Sequence, residues 1–284
     1  MSGSRKRLPR RIADGVAVLI AAVVAFPLYW MVLSAFKPEG ELLSSDPRPW
    51  TWAPTLDGFR RVFTVDGLGG YFANSLLVAA AVVLLSLLMS FLAAVALTRF
   101  RFRGRTVLLL MILVAQMVPV EALTIPLFFL MREVGGVAPA FGLNHLGSLV
   151  LVHLAFSLPL AIWMLRGFVA AVPDELEEAA KLDGASRARF VWQVLFPLVA
   201  PGLVATSVLS FIHAWNDFLF AKTFIISATE NQTLPMAILV FFKPEGNDWG
   251  AIMAGSTLMT IPVLIFFVLV QRKLVSGLAG AVKG

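Results

Sequence analysis

Thr206, Ser210, His213, Asn216 and Asp217 form the densest set of hydrogen-bonding side chains inside an apolar stretch of this sequence. Thr206, Ser210, His213 and Asp217 are spaced four, three and four residues apart, so a helix would carry them on one stripe, with Asn216 beside it. Hydroxyls, an amide and a carboxylate on one stripe can exchange hydrogen bonds with the many hydroxyls of a sugar. They can equally tie helices together, or let the aspartate meet interfacial water. An ionisable residue in a membrane normally faces protein or a water-filled cavity, which makes the stripe a candidate solute path. Gln116, Glu121 and His153 stand alone in or beside apolar stretches and read as locally satisfied structural residues.

Covalent chemistry finds little support. There is no cysteine, so disulfides, thiolate metal sites and a cysteine nucleophile are excluded, and the three histidines lack metal-ligand spacing. No Ser/His/Asp constellation or close carboxylate pair suggests an enzyme. No G-x-x-x-x-G-K-[ST] loop is present to cradle phosphates, so no nucleotide or other cofactor is expected on this chain. The triplet Asn231, Gln232, Thr233 matches a glycosylation acceptor, a common chance match.

The elements that would position the stripe are membrane helices. With 59% hydrophobic and 14% charged residues and a mean hydropathy of +0.86, the 284-residue chain has too little charge to cover a soluble globule. Six spans are expected near Ile12 to Phe36, Tyr71 to Leu97, Val107 to Met131, Leu146 to Met164, Leu198 to Phe220 and Trp249 to Val270. Gln116, Pro119, Glu121 and Pro126 interrupt the third, and a kink at Pro119 accounts for it more simply than two half-length helices. At 1.5 Å per residue, Asp217 would lie roughly 30 Å above Pro197, near the outer interface. The N-terminal MSGSRKRLPRR has the flavour of a secretory signal, but without a convincing cleavage site the first apolar run reads as an uncleaved span.

A net charge of +6 does not point to nucleic acid, because the basic residues sit in short clusters beside apolar runs. Of the 23 Lys and Arg, 16 fall in the segments on the side of the termini and 7 in the opposite loops, which places both termini in the cytoplasm. Arg99, Arg101, Arg103 and Arg105 are the sharpest topology marker, and Trp50, Trp52 and Trp249 suit an interfacial belt. The organisation expected is a basic cytoplasmic N-terminus over residues 1–11 and one all-α membrane domain over 12–284. Ala79 to Ala81 and Ala93, Ala94 and Ala96 supply the small side chains that let membrane helices approach closely.

Between the fourth and fifth spans, Arg166 to Pro201 is a charged cytoplasmic segment. Pro173 can open a helix, and Asp174, Glu175, Glu177 and Glu178 crowd its first turns, where carboxylates favour the positive end of the macrodipole. Leu176, Ala179, Ala180 and Asp183 recur at helical spacing. Gly184 then stops this helix and Ser186 can cap a second one, running toward Trp192 and Val194. Two short helices at an angle, lying against the membrane and exposing a compact knob, should result.

Glu178, Ala179, Ala180 and Gly184, followed by Val194, Phe196 and Pro197, resemble the EAA loop of ABC-importer permeases, with Val and Phe at the family's Ile and Leu positions. Asp183 and Ala185 extend the likeness to EAAKLDGA, the form in carbohydrate importers of the maltose and multiple-sugar type. Trp215, Asn216, Asp217 and Phe218 resemble an element of the second permease of such systems, and Gln271 to Gly284 resembles its tail. The resemblance implies a six-helix type I importer permease in the inner membrane, working with a second permease, a cytoplasmic ATPase dimer that uses ATP and magnesium, an extracytoplasmic solute-binding protein and membrane lipid. It implies that Glu178, Ala179, Ala180, Asp183, Gly184 and Pro197, in a coupling loop at about 166–197, dock on the ATPase. A permease of the same family for glycerol phosphate or a polyamine, or an ion-coupled carrier using Glu121, His213 or Asp217, is an alternative; the carrier would have no use for the knob.

Overall fold

The computed structural model describes residues 10–244 and 246–281, and every regular element in them is helical. Most of the basic N-terminus expected over 1–11, and the last three residues of the tail, lie outside them. The described residues group into two compact units, one running up to Asp66 together with Ile238–Thr260, the other Gly67–Ala237 with the residues from Ile261 onward.

In the first unit, α1 (Arg10–Ala35) carries a 22-residue apolar stretch, Asp14–Ala35, that is exposed from Asp14 through Tyr29 and buried at Ser34 and Ala35. Val18, Leu19, Val23 and Val24 are among the exposed residues, a surface that hydrocarbon solvates and water does not. Arg61 pairs with Asp248 at 2.6 Å, and the same carboxylate accepts from the Ala251 backbone, fixing the start of the last long helix.

In the second unit, α2 (Leu68–Arg99) is 32 residues long, about 48 Å at 1.5 Å per residue. Val78, Ala79, Val82, Ser86, Ser90, Phe91, Ala94 and Val95 recur at three- and four-residue steps and are buried along one face. Ala79 and Ala94 are fully buried, as close helix approach requires. α3 (Arg105–Ala115) and α4 (Thr124–Val137) follow, then α5 (Leu146–Ala170), α6 (Glu175–Leu182), α7 (Ala200–Trp215), α8 (Leu219–Phe224) and, from the first unit into the second, α9 (Trp249–Ala281). α5 and α7 both pack on α2. At Gly202 the backbone of α7 comes so close to α5 that an added Cβ would sit 2.5 Å from the Phe168 ring.

Four helices are long and apolar enough to cross a bilayer, and six spans result if each of two bent pairs counts as one. The third expected span is broken more sharply than a proline kink: α3 ends at Ala115, a 3-10 turn covers Val120–Leu123, and the two halves differ in direction by 92°. The fifth starts near the Leu198 expected, where Arg187–Leu198 meets α7 at 72° with Val199 at the corner, but α7 ends at Trp215, short of the Phe220 expected. A straight 30 Å rise from Pro197 to Asp217 is therefore not kept.

Candidate functional site

Two features collect the polar residues singled out above, a cavity among α3, α5, α7 and α8 and a knob between α5 and α7.

The cavity has a volume of about 270 Å³. Thr206, Ser210 and His213 line it from α7, as the four- and three-residue spacing predicts. Asp217 lines it too, though not from the helix: α7 stops at Trp215, and the Asp217 carboxylate accepts from the backbone N–H groups of Phe220 (3.2 Å) and Ala221 (3.0 Å) at the start of α8. Asn216 ends α7, is exposed, and is not among the lining residues. The break in the third span supplies Gln116 and Glu121, and α5 supplies His153 and Ser157, so residues that look isolated in the sequence converge on one space. Pro159 brings no N–H to the carbonyl of Ala155, itself a lining residue, which leaves backbone polarity at the wall. Irregular backbone at membrane depth is tolerated where it lines such a cavity.

The polar groups differ in how far they are satisfied. Thr206 donates to Gly202 O at 2.9 Å and Ser210 meets Ser86 of α2 at 3.3 Å, so both also serve helix packing. Among the described residues the side chains of Gln116, Glu121 and His213 find no hydrogen-bond or ion-pair partner, and they are open to the cavity. His153 is 6% exposed; its Nε2 lies 3.4 Å from Asp217 Oδ2 without hydrogen-bond geometry and finds no other partner. Phe156 and Phe220, stacked at 5.8 Å, add an aromatic wall. No cluster of His, Asp or Glu able to hold a metal ion occurs among the described residues.

The knob is built as its residues dictate. α6 begins after Pro173 with Glu175, Glu177 and Glu178 in its first turn, and Glu177 pairs with Lys181 at 2.9 Å. It ends on Gly184 at φ 78°, with Ala185 N–H donating to Ala180 O (2.9 Å) and Gly184 N–H to Lys181 O (3.0 Å), the paired bonds of a Schellman stop. Ser186 then caps the next helix by accepting from Arg189 N–H at 3.3 Å. In Arg187–Leu198, Phe190 and Leu195 are buried against Phe91, Val95, Leu165, Val169 and Leu203, and Ala180 of α6 packs on the same cluster. Glu178, Ala179, Asp183, Gly184 and Pro197 are exposed. The two alanines thus divide, Ala180 inward and Ala179 outward.

Two residues of the knob escape a sequence reading. Leu182 is 90% exposed at the tip, an apolar side chain with no cover. Arg99, legible only as a topology marker, is 8% exposed in its side chain and donates to Val169 O (3.2 Å) and Val172 O (2.7 Å) while pairing with Asp174. One guanidinium therefore joins the end of α2, the end of α5 and the start of α6.

Comparison with known proteins agrees with this architecture. Residues 83–280 match the family described as binding-protein-dependent transport system inner membrane component. The chain is 42% identical to the diacetylchitobiose uptake system permease protein DasC of Streptomyces coelicolor, over 94% of this chain and 95% of that protein. It is 35% identical to the trehalose/maltose transport system permease protein MalG of Thermococcus litoralis, again over 94% and 95%. Its fold is similar to a chain in the crystal structure of a bacterial ABC transporter involved in the import of the acidic polysaccharide alginate, with a TM-score of 0.74 at 20% identity, covering 94% of this chain and 98% of that one.

Proposed function

Because this chain belongs to the inner membrane components of binding-protein-dependent transport systems, the non-catalytic, multi-pass permeases of ABC importers, we propose that it forms one half of a pathway for a sugar or oligosaccharide. Its partners in this reading are a second permease, a cytoplasmic ATPase dimer that consumes ATP with magnesium, and an extracytoplasmic solute-binding protein, all within or against membrane lipid. The relatives named for diacetylchitobiose and for trehalose and maltose support the sugar.

The observation that carries the coupling role is the knob. A helix of acidic and apolar residues, Glu178, Ala179, Leu182 and Asp183 all outward, is stopped by a left-handed glycine and pinned to two membrane helices by Arg99. Uncovered apolar residues rimmed by charge mark an interaction surface. Seated in a groove of the ATPase, α6 would follow the ATPases as they close, and the rigid-body shift would alternate access to the pathway. Thr206, Ser210, His213 and Asp217 line that pathway in this reading, with Asn216 at its margin.

Purification of the chain with its ATPase tests the docking. Glu178→Lys is expected to abolish copurification and solute-stimulated ATP hydrolysis while membrane insertion stays normal. Copurification and stimulation at the level of the unmodified importer would sink the docking role.

A further inference from the structure

From the chemistry of the cavity wall we infer that the portion of the pathway within this chain is a subsite for uncharged saccharide rings that rejects anionic sugars. The inference rests on the reading of the cavity as part of the solute path.

Its charge is one-sided. Among the described residues Glu121 has no ion pair, and Asp217 is opposed by two backbone N–H groups and the imidazole of His153. No lysine or arginine lies among the lining residues. A carboxylate, sulfonate or phosphate on a solute is normally met by a guanidinium or ammonium, and here it would instead face Glu121 and Asp217 inside a partly apolar wall, where charges are poorly screened. Uncharged hydroxyls suit the same wall. His153 Nε2 is buried beside Asp217 without a hydrogen bond, and Gln116, Glu121 and His213 have free hydrogen-bonding capacity among the described residues. Leaving the buried His153 nitrogen without a hydrogen bond is costly, and the other three are free to bond, so a ligand bearing many donors and acceptors gains where an apolar one does not. The stacked Phe156 and Phe220 add flat apolar surface of the kind the C–H face of a sugar ring covers. At about 270 Å³ the cavity falls just below the range of roughly 300–1,000 Å³ typical of small-ligand sites, which suits one ring at a time and a solute in passage.

The chain contains no cysteine, so a single engineered thiol reports on this cavity without competition from the rest of the chain. In the importer assembled with its ATPase, partner permease and binding protein, Ser157→Cys is labelled with methanethiosulfonates bearing a cationic or an anionic head, each rate normalised to that for free 2-mercaptoethanol. Leu160→Cys provides a second position if the first variant does not assemble. The cationic reagent is expected to be favoured by about tenfold, and Glu121→Gln combined with Asp217→Asn is expected to bring the ratio close to unity. Equal rates or an anionic preference in the unmodified background overturn the inference. Protection from labelling is then read with glucose, N-acetylglucosamine, maltose and trehalose against glucuronate, galacturonate and spermidine. At least one uncharged sugar should protect and no uronate should. Protection by a uronate, by spermidine alone or by none of these removes the saccharide assignment. Full uptake after complete labelling would instead place the cavity off the path, which defeats the path reading itself and is distinguishable because the charge ratio would survive.

Discussion

Asp217 has two occupations. It accepts two backbone N–H groups at the start of α8, and it presents its carboxylate to a cavity whose buried His153 stands 3.4 Å away. Substitutions separate the two. Asp217→Asn keeps an acceptor for the backbone and should leave thermal unfolding of the assembled importer nearly unchanged while uptake falls; wild-type uptake kinetics would leave the residue with its capping work alone. Asp217→Ala should lose the cap as well, about 1 kcal/mol, visible as earlier unfolding in detergent. The spacing of Thr206, Ser210 and His213 is legible because a helix fixes which residues share a side. Asp217 reaches the same cavity by another route, and Asn216 misses it, because the helix ends between Trp215 and Asn216. The convergence of Gln116, Glu121 and His153 with that set is not legible, since it depends on where two other helices pass.

At the scale of elements, the knob follows from local rules. An acidic first turn, a glycine stop and a serine cap are short-range devices, and Gly184 and Ser186 occupy the positions those rules assign. Gly184→Pro should disrupt the stop, since proline holds φ near −65° and this residue sits at 78°. Solute-stimulated ATP hydrolysis should drop with the chain still inserted, measured in membrane vesicles. The Arg99 clamp is long-range, between residues about 70 positions apart in the chain, and only the packed structure discloses it. Arg99→Lys keeps the charge but not the planar fork, one nitrogen of which meets Asp174 while the other reaches both carbonyls, so uptake per ATP hydrolysed should fall below that of the unmodified importer. A ratio equal to wild type would reduce Arg99 to a topology signal. Overpacking at the α5–α7 approach is a test of fold rather than function: Gly202→Val should cost about 1–3 kcal/mol, read as a lowered unfolding temperature, because Phe168 occupies the space a side chain would need.

For the molecule as a whole, hydrophobic run length is enough to count spans and composition enough to place the chain in a membrane. What it does not reveal is how sharply a span breaks. Gln116 and Pro119 flag the third, and Pro197 and Pro201 bracket the corner at Val199, yet neither pair fixes the size of its bend, 92° beside the cavity and 72° at Val199. An isolated chain in liposomes is expected to show no solute uptake, and uptake should appear only with the partner permease, the ATPase and the binding protein together, followed with a radiolabelled sugar. Accumulation by the chain alone would return the ion-coupled carrier to consideration.

The corner at Val199 has a mechanical consequence. Its residue is fully buried, and one backbone hydrogen bond from each arm ends on it, from Val199 N–H to Leu195 O (3.0 Å) and from Leu203 N–H to Val199 O (3.1 Å). If α6 is the docking element, such a packed elbow would act as a bell crank, turning a push along Arg187–Leu198 into a tilt of the arm bearing Thr206, Ser210 and His213.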